Sequence, residues 1–233
     1  MDAKIVGWGH TPFGRKEGDL EALICEAAQE AIDHAGIEAK EIDAIFVGHF
    51  NSGMVADGFP SSLVLNLDEG LRFKPATRLE NACASGSAAV YAARDAIRSG
   101  RVGTALVIGA EKMTELDTKG VAKALGGASY QKEESGLSFP QIFGQFAGAY
   151  FQAFGDQSET LARIAAKNHA NSVHNPLAQM QKDVGFDFCN TVTDKNPLIA
   201  PPLRLTDCSL ISDGAAAMVM VAEDRVEDFD RSV

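Results

Sequence analysis

Short apolar runs alternate with longer stretches of helical period, and that alternation confines the chain to a narrow class of folds. KIVGWG at 4–9, DAIFVG at 43–48, ATRLEN at 76–81 and TALVIG at 104–109 each have the length of a strand. Between the first two, Leu20, Leu23, Ile24, Ala27, Ala28, Ala31, Ile32 and Ala35 recur at i, i+3, i+4 spacing. That spacing predicts an amphipathic helix over 19–35, with Asp19 suited to cap its start and Gly36 to end it. A loop carrying Gly53, Gly58 and Pro60 leads to a second helix over 61–67. ENACASGSAAVYAARDAIRSG, at 80–100, opens in small residues and continues as a helix to Ser99 and Gly100. A β-α-β-α-β-α-β order implies an α/β sheet of mainly parallel strands with helices on both faces.

The alternation then stops. Residues 112 to about 205 hold glycine pairs, polar stretches and two or three helical segments, among them Gln141 to Phe154 and Ser158 to Ala170. NPLIAPPLRL at 196–205 reads as an extended connection, and GAAAMVMVA at 214–222 returns to strand. The expected organisation is therefore an α/β core over 1–111, an inserted loop domain over 112–205, and a last core strand with an acidic tail over 206–233.

Several function classes are disfavoured. The formal net charge of −11 argues against nucleic acid or an anionic membrane as main partner, since both favour a basic face. No apolar run approaches the ~20 residues that cross a bilayer, and MDAKIVGWGH lacks the pattern of a secretory signal. Cys25, Cys83, Cys189 and Cys208 are widely spaced with no C-x-x-C pair, which disfavours a disulfide framework or a zinc site and suits a reducing cytoplasm. GWGHTPFG does not meet the G-x-G-x-x-G pattern of a dinucleotide site.

Cys83 is the leading candidate for chemistry. It follows the third strand and precedes a helix, and open α/β sheets gather ligands at the carboxyl ends of their strands. Unpaired N–H groups and the helix dipole there favour an anion, and the thiolate is the nucleophilic form of cysteine. Ala84, Ser85, Gly86, Ser87, Ala88 and Ala89 leave room for a substrate to approach. A lone cysteine is also commonly a small buried hydrophobe, and position alone leaves both readings open.

The residues around Cys83 resemble a known family. ENACASGSAA is similar to the nucleophile motif of the thiolases, most closely the sterol-carrier-protein-x type. GAEKM at 109–113, KNHANSVHNPLAQMQ at 167–181 and DCSLISDGAAAMVMVAE at 207–223 resemble further family segments in the family's order. The resemblance implies the first half of a thiolase fold: a three-layer α-β-α unit with a mostly parallel, mixed five-stranded sheet and an inserted loop domain. It implies an acyltransferase acting on a coenzyme A thioester, either acetyl-CoA C-acetyltransferase or 3-ketoacyl-CoA thiolase, with no bound cofactor or metal. Cys83 would take the acyl group as a thioester, its own N–H contributing to an oxyanion hole. A dimer or higher homo-oligomer is expected. Two relatives' roles stand as alternatives: a non-catalytic thiolase-like subunit that binds a small OB-fold protein, and a ketosynthase relative.

The family's Gly-His-Pro segment, its second cysteine in Cys-x-Gly and its Asn-Glu-Ala motif do not occur in these 233 residues. The chain therefore reads as an N-terminal domain without its C-terminal half, and is expected not to turn over acyl-CoA alone. Lys167, Lys182, Lys195 and Arg204 could meet coenzyme A phosphates or be ordinary surface charge. His169, with His174, lies in the loop-domain stretch that the resemblance assigns to shaping the acyl-CoA pocket. Phe139, Phe143, Phe146 and Phe151 either line an acyl tunnel or pack a helix.

Overall fold

The computed structural model describes residues 2–229. In chain order the strands and α-helices are β1 (Ala3–His10), α1 (Leu20–Ala35), β2 (Ala44–Gly48), β3 (Ala76–Leu79), α2 (Ser85–Arg98), β4 (Thr104–Glu111), α3 (Thr118–Gly126), α4 (Gln131–Glu134), α5 (Phe139–Phe154), α6 (Ser158–Ser172), α7 (Gly185–Asn190), β5 (Leu198–Ala200), β6 (Leu203–Arg204) and β7 (Gly214–Ala222). They fall into two compact units, Met1–Glu115 with Ser212–Val233, and Leu116–Ile211.

The first unit is built on a five-stranded sheet of order β1-β7-β4-β2-β3. β2 pairs in parallel with both β3 and β4, whereas β7 runs antiparallel to its neighbours β4 and β1. Four of the five strands thus point one way, and the sheet is mixed. β4 alternates its side chains between two cores. Leu106 and Ile108 pack with Ile24, Ile45 and Val219 on the α1 face. Ala105 and Val107 pack with Ala89, Ala93, Ile97 and Met220 on the α2 face. Burial on both faces explains why β4 and β7 read as unbroken apolar runs.

α1 has the boundaries that its sequence predicts. Asp19 caps it, its carboxylate accepting from the Ala22 N–H at 2.9 Å, and Gly36 ends it in the left-handed conformation at φ 70°. Its apolar stripe presses closely on β1: a Cβ on Gly9 would lie 2.3 Å from the Ala27 carbonyl oxygen. α1 also closes the outer edge of β1. Trp8 N–H donates to His34 Nδ1 at 3.2 Å and His10 N–H donates to Glu30 Oε2 at 2.8 Å. Those two edge groups are therefore not offered to another strand.

Three local expectations are corrected. The segment expected as a helix over 61–67 is a 3₁₀ helix, Pro60–Asn66, whose tighter winding begins at Pro60. The strand expected over 76–81 stops at Leu79, because Glu80 and Asn81 turn into a loop. The proline-rich connection at 196–205 is a short antiparallel hairpin of β5 and β6.

The second unit holds five α-helices among the described residues, more than the two or three helical segments expected. α5 begins two residues earlier than Gln141, through a capping box between Ser138 and Gln141 with proline in its first turn. Beyond β7 a 3₁₀ turn covers Glu223–Asp228. The rest of the expected acidic tail, 230–233, lies outside the described residues.

Candidate active site

The loop from β3 to α2 is built by its own side chains. Glu80 Oε1 accepts from the Ala82 N–H at 2.5 Å. Ser85 Oγ accepts from the Asn81 N–H at 2.8 Å and donates to the Ala82 carbonyl at 2.7 Å. The Ala84 N–H donates to Asn81 O at 2.9 Å, and the Ser85 N–H to Ala82 O at 3.1 Å. These bonds hold Ala82 at φ 47°, a left-handed conformation costing a non-glycine residue about 1–2 kcal/mol. Cys83 lies between the tethered residues, and it is exposed.

Helix α2 begins at Ser85, two residues beyond the cysteine, so Cys83 precedes the helix as its sequence setting implies. Its first residues rest on two facing glycines of adjacent strands, Gly48 of β2 and Gly109 of β4. A Cβ on Gly48 would stand 2.5 Å from the Ser85 carbonyl oxygen, and one on Gly109 would be 3.9 Å from Gly86 Cα. The bare strand ends let the helix backbone approach, and they place the Cys83 loop at the carboxyl end of the parallel strands.

The other cysteines differ. Burial, reinforced by Glu21 and Asp19, pushes the Cys25 thiol up to about 11. Burial also raises Cys189, and raises Cys208 with a further contribution from Asp207. Cys189 is fully buried, while Cys25 and Cys208 are half-buried.

The loop after β2 lies at the same end of the sheet. The His49 N–H donates to the Leu79 carbonyl at 3.1 Å, just before the Cys83 loop begins. The buried His49 ring sets Nδ1 2.8 Å from the Ala110 carbonyl, so Nδ1 carries the proton. Nδ1 is also 3.2 Å from Glu111 Oε1, and Nε2 is buried without a hydrogen-bond partner among the described residues. Glu111 accepts from the N–H groups of Phe50 and Asn51 at 3.0 and 3.1 Å. Arg78 donates to the carbonyls of His49 and Phe50. His49 was not singled out in the sequence. The only signal was a polar residue directly following a buried strand.

The remaining candidates lie in the second unit. Lys167 and Lys182 are exposed, and His169 Nδ1 sits 3.0 Å from the Lys182 carbonyl, which ties α6 to that segment. Arg204 is 3% exposed. Its Nε binds Asp207 Oδ2 at 3.0 Å, Nη1 binds Asn190 Oδ1 at 3.3 Å and Nη2 binds the Ser158 carbonyl at 2.6 Å. Arg204 is thus a buried structural cation, and its expected role toward substrate phosphates is withdrawn. Phe143 and Phe146 stand on an exposed face of α5. Among the described residues no group of three or more His, Cys, Asp or Glu could hold a metal ion, and no helix is long and apolar enough to cross a membrane.

Comparison with known proteins agrees with this geometry. An acetyl-CoA acetyltransferase of Methanothermobacter thermautotrophicus is 33% identical over 230 residues, covering 98% of this chain and 59% of that protein. An acetyl-CoA acetyltransferase of Methanocaldococcus jannaschii is 35% identical over 231 residues, covering 98% of this chain and 57% of that protein. The chain therefore spans somewhat more than half the length of these relatives. Among solved structures, a chain of the "Ltp2-ChsH2(DUF35) aldolase" superposes with a TM-score of 0.79 at 26% identity, covering 98% of this chain and 57% of that one. The family model described as "Thiolase, N-terminal domain" matches residues 3–224, and the chain belongs to the thiolase family.

Proposed function

We propose that the chain is the acyl-accepting half of a thiolase-type acyltransferase and that Cys83 is its nucleophile. The observation that carries this reading is the exposure of Cys83 in a tethered loop at the carboxyl end of parallel strands, while the other three cysteines are wholly or partly buried. In the proposed step Cys83 Sγ attacks the carbonyl carbon of an acyl-CoA. The C–S bond to coenzyme A breaks, coenzyme A leaves as its thiolate, and the thiol proton passes to it. The acyl group stays on Cys83 as a new thioester, which divides one exchange into two easier steps. The Cys83 N–H contributes to stabilising the developing oxyanion. Lys167, His169 and Lys182 are the loop-domain residues offered to the substrate. The substrate is an acyl-CoA, no further cofactor takes part, and the protein works as a homo-oligomer. Because the family's second cysteine and Gly-His-Pro segment do not occur in these residues, this chain alone accepts an acyl group without completing turnover.

Intact-mass spectrometry after mixing with acetyl-CoA tests the reading. An acetyl adduct on the native chain that is absent from Cys83→Ala supports it. An adduct that survives Cys83→Ala, or robust thiolysis by the 233-residue chain, overturns the corresponding part.

A second reading is favoured by the likeness to the Ltp2-ChsH2(DUF35) aldolase chain, whose description names two components. In it the chain is a thiolase-like subunit that pairs with a small OB-fold protein. Failure to form the adduct in the whole gene product, together with co-purification of such a protein, would favour that reading.

A further inference from the structure

We propose that the cleft between α3, α4 and the start of α5 binds a phosphate group. The cleft has a volume of about 350 Å³, and its lining includes Lys119, Lys123, Gln131, Gly136 and Ser138 but no acidic residue. Lys119 and Lys123 stand one turn apart on α3, and both are exposed. Neither has an ion-pair or hydrogen-bond partner among the described residues.

Their placement is unfavourable unless an anion joins them. Like charges at i, i+4 destabilise a helix. Lys119 also lies in the first turn of α3, where the helix dipole disfavours a cation. The carboxylate nearest in sequence, Asp117, caps the helix by accepting from the Gly120 N–H at 2.7 Å, and it does not line the cleft. α4 carries Glu133 and Glu134 as well as Lys132, but neither carboxylate lines the cleft. Ser138 caps the 16-residue helix α5, whose first turn carries no acidic residue, so the positive end of a second helix dipole borders the same space. The whole chain carries a net charge of −11, which repels anions from most of its surface. A pair of unpartnered lysines in a concave, acid-free site offsets that repulsion locally, and ammonium groups suit phosphate as point charges.

The shared ligand chemistry is a phosphate monoester or dianion, supplied either by a nucleotide-bearing molecule or as free phosphate. The proposal does not depend on acylation at Cys83.

Amide NMR titrations test it at fixed ionic strength, with inorganic phosphate and with adenosine 3′,5′-bisphosphate as the two probes. Saturable shifts of the amides of 119–123 and 136–139 are expected with at least one probe, and the same affinity is expected in Cys83→Ala. Tighter binding of the bisphosphate points to a nucleotide source, and equal binding points to free phosphate. The double variant Lys119→Gln/Lys123→Gln should weaken binding about tenfold or more, while Lys119→Arg/Lys123→Arg, which keeps both charges, should stay within about threefold. Both lysines are exposed, so circular dichroism should show the variants folded. The proposal is overturned if no saturable shift occurs at millimolar probe, if the shifts map elsewhere, or if the double glutamine variant binds as tightly as the native chain.

Discussion

Lys112 and Asp213 form a buried ion pair, with Nζ 2.8 Å from Oδ2. The carboxylate is saturated. It also accepts from the Lys16 N–H at 3.0 Å, the Thr114 hydroxyl at 2.6 Å, and the N–H groups of Met113 and Thr114 at 2.8 and 2.9 Å. Three segments distant in sequence meet on this one side chain: the loop after β1, the end of β4 and the entry to β7. The lysine, in turn, donates to the Lys16 carbonyl at 2.5 Å. The pair therefore holds the ends of β4 and β7 in register at the carboxyl end of the parallel strands, the end at which the Cys83 loop lies.

Acid should loosen this knot. Burial by itself would raise the Asp213 carboxyl, but the Lys112 ammonium, the Lys16 N–H and the Thr114 hydroxyl and N–H outweigh it and hold it at about 2. The folded value lies below the unfolded one of about 3.9. The stabilisation, about 2 kcal/mol, is thus complete above the unfolded value and is lost as the pH falls from about 4 toward 2. Asp213→Ala, which leaves Lys112 buried and unpaired, should cost about 3–5 kcal/mol and remove that part of the acid dependence. Urea unfolding between pH 3 and 7 measures both. An unchanged pH slope in the variant would mean that other carboxylates carry it.

Cysteine labelling should follow burial. At pH 8 a thiol at about 11, as for Cys25, is thiolate in only about one molecule in a thousand. Burial hinders Cys189 and Cys208 in the same direction. Iodoacetamide should therefore modify the exposed Cys83 at least about tenfold faster than any of the three. Raising the pH from 8 to 10 should speed Cys25 labelling by up to about a hundredfold, because its thiolate fraction rises tenfold per unit. Peptide mapping by mass spectrometry reads all four rates. Equal rates for Cys83 and Cys25 would show that exposure does not control reactivity here.

Gly48 decides where α2 can sit. Alanine there would put Cβ 2.5 Å from the Ser85 carbonyl oxygen and 2.7 Å from the Gly86 nitrogen, both backbone atoms that cannot swing aside. Gly48→Ala should destabilise the chain by about 1–3 kcal/mol, as overpacking does, and displace the start of the helix. Under the proposed function it should slow acetyl transfer to Cys83 more than it slows iodoacetamide labelling, since alkylation needs only an accessible thiol. Equal slowing of both would indicate general unfolding. Gly86→Ala is the control, because a Cβ there meets nothing within 4 Å.

The elements legible in the sequence are those whose causes are local. α1 was placed to the residue because both of its ends are marked by neighbours, Asp19 and Gly36. The start of α2 has no such local mark, because its position depends on Gly48 and Gly109, far off in sequence, and on a Ser85 hydroxyl that binds back into the loop. The apolar run of β7 was visible, but its antiparallel insertion between β1 and β4 was not, since periodicity carries no information about pairing partners. At the candidate site Cys83 stood out by its setting between strand and helix. His49 did not, because its role comes from Ala110 and Glu111 on another strand. Asn51 and Ser52, at φ 62° and 48°, show how sharply the chain turns there, without a glycine until Gly53 to announce it.

Arg204 shows the same limit, and it yields the last prediction. In a proline-rich stretch a lone arginine reads as solvated, yet its partners come from positions 158, 190 and 207 and bury it. It joins the start of α6 to the end of α7 and to the turn after β6. Removing one member of a buried, hydrogen-bonded pair costs about 3–5 kcal/mol, because the other charge is left without its partner. Arg204→Ala should therefore leave Asp207 uncompensated and lower the melting temperature markedly. Arg204→Lys should recover only part of the loss, since one ammonium cannot replace three donors fixed in a plane. Neither change should weaken phosphate binding at Lys119 and Lys123, provided titrations are run well below the melting temperature. Thermal unfolding by circular dichroism, beside the phosphate titration, separates the two effects. A stable Arg204→Ala variant with impaired coenzyme A binding would restore the residue to the substrate and displace its structural role.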